Sequence, residues 1–240
     1  MGNQTGLSNE DRAGRLGPHP MAGAALSASV GRSPLGLGAE RDGLLHVPPV
    51  ATSGGRLPLV VLLHGAGGDA AGMADLFGEA ADEHGVLLVV PESRGRTWDV
   101  ITRSGFGPDV AFLRRALAEV LPRCPVDTGR MAIGGFSDGA SYALSLGITN
   151  GDLFGHVLAY SPGFAAPGTP VGRPALFLSH GTEDRVLPVE RCSRRLVPAL
   201  RDAGYEVAYR EFRGGHGVPP DVLDASLRWF RDETRTHRRW

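Results

Sequence analysis

Lysine is missing from this chain of 240 residues, and every one of its 25 basic residues is arginine. That absence removes Schiff-base chemistry, the lysine of phosphate-binding P-loops, the ATP-pairing lysine of kinases and serine–lysine dyads together. Cysteine is scarce too. Cys124 and Cys192 stand far apart and outside any metal-like spacing, so each reads as an isolated thiol and no metal site is expected. Neither sign of charge is in excess: the formal net charge is −1, which leaves no electrostatic footprint for nucleic acid or a membrane surface. The basic cluster R-T-H-R-R at 235–239 reads as a short solvated tail. No apolar run nears the roughly 18 residues that a membrane helix needs. The first twenty residues lack the apolar stretch of a secretory signal, so a cytoplasmic protein without a stable membrane anchor is expected.

What remains is an ordinary globular balance, with 42% hydrophobic and 21% charged residues, enough for a proper core. Residues 1–40, rich in Gly, Ala, Ser and Pro without a stable period, read as a loose lead-in. Residues 41–234 read as one domain and 235–240 as a basic tail. Apolar runs predict strands at Gly43–Val47, Leu57–Leu63, Val86–Val90, Met131–Phe136, His156–Ser161, Ala175–Ser179 and Glu206–Phe212. Helices are predicted at Ala70–His84, Asp109–Leu121, Asp138–Ile148, Pro188–Ala203 and Pro219–Arg231. Runs such as L-P-L-V-V-L-L are apolar on both faces, as a parallel strand covered by helices on each side must be. The alternation implies an α/β fold, a mostly parallel sheet wrapped on both faces, with ligands at the carboxyl ends of the strands.

One such end reads G-G-F-S-D-G-A-S. Ser137 falls directly after a strand and directly before a helix, so the chain must reverse within one residue. The positions two before and two after it then come too close for side chains, and Gly135 and Gly139 remove that collision. A serine held there at a helix N-terminus suits nucleophilic attack; the plainer alternative is a helix cap. A nucleophile needs a base, and the base needs an orienting acid. Of the downstream histidines, His237 lies in the tail and His180 precedes the acid candidates. His216, in R-G-G-H-G after the last strand, is the expected base. Asp184 in S-H-G-T-E-D-R-V is the expected acid, with Glu183 its neighbouring alternative. The backbone N–H groups of Ala66, in L-L-H-G-A-G-G-D, and of Asp138 are the expected oxyanion donors; His64 reads as structural. Gly65–Ala70 also fits the dinucleotide fingerprint G-x-G-x-x-A, with Glu92 after the next strand as a ribose partner, but that reading leaves Ser137, Asp184 and His216 unexplained.

The motifs L-H-G-A-G-G, P-E-S-R-G-R-T-W-D, G-G-F-S-D-G-A-S, S-H-G-T-E-D-R-V-L-P and G-G-H-G-V-P-P, in that order over roughly residues 35–230, resemble the α/β-hydrolase superfamily. They are most similar to its phospholipase/carboxylesterase-like branch, near acyl-protein thioesterases and polyhydroxybutyrate-depolymerase-like esterases. The resemblance implies a Ser137–His216–Asp184 triad that cleaves carboxylic esters through an acyl-enzyme, with no cofactor and a small-molecule ester as partner. The thioesterase branch usually has glutamine after the nucleophile, where this chain has Asp138; a thioesterase, or a non-catalytic small-molecule receptor on the same fold, is the alternative. Only S-P-G-F-A-A-P-G-T-P-V-G-R-P separates two strands where many members insert a cap. An open cleft for small or medium esters, lined by Trp98, Phe164 and Val186, is therefore expected.

Overall fold

The computed structural model describes residues 6–232 apart from positions 18, 20, 24, 39 and 104; the basic tail, with His237, lies outside them. Eight strands form one sheet in the order β1-β2-β4-β3-β5-β6-β7-β8. β3 (Leu57–Leu63), β4 (Leu87–Pro91), β5 (Val126–Phe136), β6 (His156–Tyr160), β7 (Ala175–Gly181) and β8 (Val207–Phe212) run parallel. β1 (Gly31–Pro34) and β2 (Gly43–Val47) close one edge antiparallel.

The two-sided apolar runs explain the layers. Leu59, Val61 and Leu63 of β3 pack into one core with α4 (Pro108–Val120), α5 (Asp138–Thr149) and α6 (Ser193–Asp202). The intervening Val60 and Leu62 pack on the other face with α2 (Ala70–His84) and α7 (Pro220–Arg231). Successive side chains of a strand point to opposite faces, so a strand apolar at every position feeds both cores. Local signals set the helix ends: Asp69 accepts the Gly72 N–H at 2.8 Å to open α2, and Gly85 closes it in the left-handed region at φ 59°.

The described part of the stretch expected to be a loose lead-in, from residue 6 onward, is built into the fold. It carries a short helix α1 (Asn9–Arg12), capped reciprocally by Ser8 and Asp11, as well as strand β1. Leu16, Ala28 and Leu35 are buried. Asn150, just past α5, receives the Leu16 N–H at 2.9 Å and donates to the Gly14 carbonyl at 2.8 Å. Arg15 pairs with Asp152 at 2.6 Å. This segment is anchored at single residues by distant partners rather than along one apolar face, which is why it shows no period. Two smaller differences concern helices. The one expected from Pro188 starts at Ser193, because Pro188–Cys192 makes a separate turn closed by the Cys192 N–H on the Pro188 carbonyl at 3.1 Å. A short helix, α3 (Asp99–Thr102), follows Trp98. Residues 161–174, between β6 and β7, contain neither helix nor strand. Among the described residues no helix is long and apolar enough to cross a membrane.

Candidate active site

Ser137 stands between the end of β5 and the start of α5 with φ 58° and ψ −119°, a positive φ that side-chain-bearing residues rarely adopt. Such a conformation costs on the order of 1–3 kcal/mol and persists only where its surroundings impose it. Here the Ser137 N–H donates to the Tyr160 carbonyl at the end of β6 at 2.9 Å, and its own carbonyl receives the first amides of α5. A Cβ on Gly135 would lie 2.4 Å from the Gly139 carbonyl oxygen. A Cβ on Gly139 would lie 2.2 Å from the Leu63 carbonyl oxygen of β3. The two glycines are required by each other and by the neighbouring strand.

His216 lies in the loop from β8 to α7 and Asp184 in the loop after β7. Ser137 Oγ lies 2.9 Å from His216 Nε2, and His216 Nδ1 lies 2.6 Å from Asp184 Oδ2. A neutral imidazole protonated at Nδ1 satisfies both contacts, donating to the carboxylate and accepting from the hydroxyl. Asp184 Oδ1 accepts the N–H groups of Val186 and Leu187, each at 2.8 Å. Burial alone would push this carboxyl up, but the hydrogen bonds from His216, Leu187 and Val186 hold it below the ordinary aspartate range. The ring of Phe136 lies 4.7 Å from that of His216. Glu183, the neighbouring acid, points elsewhere and pairs with Arg213 at 3.2 Å.

The glycine-rich turn after β3 comes up beside the serine: a Cβ on Gly65 would lie 3.3 Å from Ser137 Cβ. Ala66 is exposed on that turn, and Asp138 is the first residue of α5. The turn is held from below. His64 Nδ1 donates to the Gly65 carbonyl at 2.7 Å while its Nε2 accepts the Ser93 N–H at 3.0 Å, which fixes one neutral tautomer. Burial lowers the pKa of this ring. The Gly67 N–H donates to the Arg96 carbonyl at 2.8 Å. The Asp138 carboxylate accepts from Thr97 Oγ1 at 2.7 Å, so the side chain beside Ser137 is committed to a neighbour. Glu92, the acid of the dinucleotide reading, accepts from the first amide of α2, that of Ala70, at 3.3 Å and pairs with Arg41 at 3.5 Å.

Of the three residues expected to line the cleft, Trp98 does not. It is completely buried, stacked on Tyr142 at 5.1 Å and donating its indole N–H to the His64 carbonyl at 2.8 Å. A tryptophan just after a strand-end loop looks the same in sequence whether it faces solvent or supports the loop. Phe164 and Val186 are exposed, at 37% and 67%. A concavity of about 310 Å³ is lined by residues Phe212 to Pro219, around His216.

Two features escaped the sequence reading. His180 lies behind Asp184. The other is a hydroxyl ladder: Ser141, Ser145 and Thr149 each donate to the carbonyl four residues earlier, at 3.3, 2.7 and 2.7 Å. Each hydroxyl also accepts an amide from the β6–β7 connection, Gly163, Ala166 and Gly168 respectively, at 2.9, 2.9 and 3.0 Å. Its signal was present, a hydroxyl at every fourth position from Ser137 onward.

A parallel sheet covered on both faces, with a strained serine at the end of its fifth strand and a histidine and an aspartate on later loops, defines the α/β-hydrolase fold. Residues 36–195 match the model of the esterase family described as “Putative esterase”, and the chain belongs to that family. It is 31% identical over 127 residues to acyl-protein thioesterase 1 of Gibberella zeae, covering 45% of this chain and 52% of the relative. It is 30% identical over 186 residues to “Putative esterase NocK” of Nocardia uniformis, covering 72% of this chain and 53% of the relative. The chain therefore spans about half the length of these curated relatives. Among solved structures, esterase PE8 superposes with a TM-score of 0.65 at 26% identity, over 81% of this chain and 99% of that one.

Proposed function

We propose that this protein hydrolyses carboxylic esters of small or medium acyl and alcohol groups through an acyl-enzyme on Ser137. The observation that carries the reading is the continuous relay from Ser137 Oγ through His216 to Asp184, at 2.9 and 2.6 Å. In the first half-reaction Ser137 Oγ attacks the ester carbonyl as His216 Nε2 takes its proton. The oxyanion that forms is held by the backbone N–H groups of Ala66 and Asp138. His216 then gives the proton to the departing alcohol, leaving the acyl group on Ser137. In the second half His216 takes a proton from water, the resulting hydroxide attacks the acyl carbonyl, and the proton returns to Ser137 as the carboxylic acid leaves. Asp184 holds the Nδ1–H tautomer and balances the imidazolium in both halves. Loss of one oxyanion donor from such a site typically costs roughly 10²–10³-fold in kcat.

The uncapped connection between β6 and β7 supports compact substrates, with Phe164 and Val186 as apolar contacts. A thioester is the second reading, favoured by the similarity to an acyl-protein thioesterase. The same relay attacks both carbonyls, so the two readings differ only in leaving group. Hydrolysis of p-nitrophenyl acetate and butyrate by the wild type and Ser137→Ala tests the proposal. The wild type is expected to release nitrophenol and to be labelled by a fluorophosphonate at Ser137, while the variant does neither. Equal release by both proteins rejects the assignment. A matched pair of butyryl thioester and oxyester substrates ranks the two leaving groups.

A further inference from the structure

His180 takes no part in the proton transfers proposed for Ser137 and His216, yet it is completely buried against Asp184. It sits next to the end of β7, paired in register with Glu211 of β8. Its Nδ1 lies 2.7 Å from Ser193 Oγ at the start of α6. Its Nε2 lies 2.7 Å from the Leu187 carbonyl and 3.3 Å from Asp184 Oδ2, the oxygen that also holds His216. These distances fix the tautomer. Nε2 faces two acceptors and must carry the proton, and Nδ1 accepts from the serine hydroxyl. A neutral His180 thus supplies one N–H shared between the Asp184 carboxylate and the loop carbonyl three residues on.

We infer that His180 is a positioning residue for the ester hydrolysis: its Nε2–H fixes Asp184 Oδ2 and the Asp184–Leu187 loop in the one arrangement that aligns His216 with Ser137. The inference rests on the hydrolase reading above. Asp184 then has four donors converging on it: His216, the amides of Val186 and Leu187, and His180. The first three leave the carboxylate free to rock about its Cβ–Cγ bond once His216 swings, since both amides bind Oδ1. His180 contributes the second protein contact on Oδ2. Burial favours the neutral ring, against the pull of Asp184 and the Leu187 carbonyl, and a neutral ring is the form with a lone pair for Ser193. The other ionisable groups facing this pair are His216, the Cys192 thiol and Glu211, the last committed to Arg194 at 2.8 Å.

Two variants separate the two ends of the ring. His180→Gln places an amide N–H near the Nε2 position and keeps the donor to Asp184; His180→Asn reaches only the Nδ1 position and keeps a partner for Ser193. Steady-state hydrolysis of p-nitrophenyl butyrate is measured from pH 5 to 9, with thermal unfolding of each protein. The Asn variant is expected to lose roughly ten- to a hundredfold in kcat with little change in KM, the scale of a small misplacement of catalytic groups. The acid limb of its kcat/KM profile is expected to move up in pH, because Oδ2 then has only the imidazolium to balance it. The Gln variant is expected to recover most of the rate and the wild-type acid limb. If Asn and Gln behave alike in rate and in pH profile, or track only their unfolding temperatures, the inference is overturned. Should Ser137→Ala remain active, the hydrolase reading itself fails, which is a different result.

Discussion

The indole N–H of Trp98 donates to the backbone carbonyl of His64 at 2.8 Å, while its ring stacks on Tyr142 of α5 at 5.1 Å and 16°. The turn expected to receive the oxyanion is thereby joined to α5, the helix that follows Ser137. Trp98→Phe keeps a ring for the stack but leaves the buried His64 carbonyl without this donor. An unsatisfied buried group of this kind costs about 1–3 kcal/mol. The variant is expected to unfold at lower temperature and to lose several-fold in kcat. Fluorophosphonate labelling of Ser137 should persist, since Ser137 and its contact with His216 are untouched. Unchanged kcat beside lowered stability would assign Trp98 to the core alone.

The approach of Gly139 to β3 gives a sharper expectation. Its missing Cβ would stand 2.2 Å from the Leu63 oxygen and 2.5 Å from that of His64, and both are backbone atoms that cannot rotate aside. Gly139→Ala must push α5 away from the strand that carries the glycine-rich turn. A loss of roughly 3 kcal/mol or more is expected, read by urea denaturation, together with loss of the ester hydrolysis proposed above. A variant of wild-type stability would contradict the close approach.

Much of this was legible in the sequence, and the limits have physical causes. β3 and β4 declared themselves because strands buried on both faces are apolar at nearly every position. The Gly135–Ser137–Gly139 spacing declared a reversal because only glycine tolerates that crowding. Ser137, Asp184 and His216 could be chosen because topology puts the ends of β5, β7 and β8 on one rim. Segments held by isolated long-range bonds carried no such pattern. Leu16 and β1 join the fold through Asn150 and the edge of β2, and nothing local announces either contact. The same holds for Trp98 and His180: residue type and position after a strand cannot distinguish a side chain that meets substrate from one that supports the residue that does.

The hydroxyl ladder on α5 fixes the connection that carries Phe164. Ser141 Oγ accepts the Gly163 N–H at 2.9 Å, and a Cβ on Gly163 would lie 3.5 Å from the Leu187 side chain. The segment is therefore held between α5 and the Asp184 loop. Ser141→Ala removes the acceptor of the partly buried Gly163 amide, which is expected to cost about 0.5–1.5 kcal/mol and to loosen the placement of Phe164. Across p-nitrophenyl esters from acetate to octanoate, the preference among chain lengths is expected to flatten, with the acetate rate least affected. A profile parallel to that of the wild type would show that the ladder stabilises the fold without shaping selectivity.

Below Trp98, two carboxylates are buried against each other's amides. Asp99 accepts the Asp109 N–H at 3.0 Å, and Asp109 accepts the N–H groups of Asp99 and Arg94 at 2.7 and 2.5 Å. Burial, followed by the charge of Asp99, pushes the Asp109 carboxyl up to about 7 despite those amide bonds; burial raises Asp99 as well. A carboxyl raised in the folded state holds its proton where the unfolded chain, with an aspartate near 3.9, has lost it. Its stabilising contribution is complete below about pH 4, declines as the pH rises, and is lost through about pH 7. Asp99→Asn retains an acceptor for the Asp109 amide and removes the neighbouring charge. Near pH 5 the two proteins should therefore differ little on this account, whereas at pH 8 the variant is spared the repulsion. Measured by urea denaturation, the stability difference, variant minus wild type, is expected to move in the variant's favour by on the order of 1 kcal/mol between pH 5 and 8. His64 and His180, both lowered by burial, destabilise either protein as the pH falls below their unfolded value, so their effect cancels in that difference. A difference that does not change with pH would mean that the two aspartates do not repel each other in the folded state.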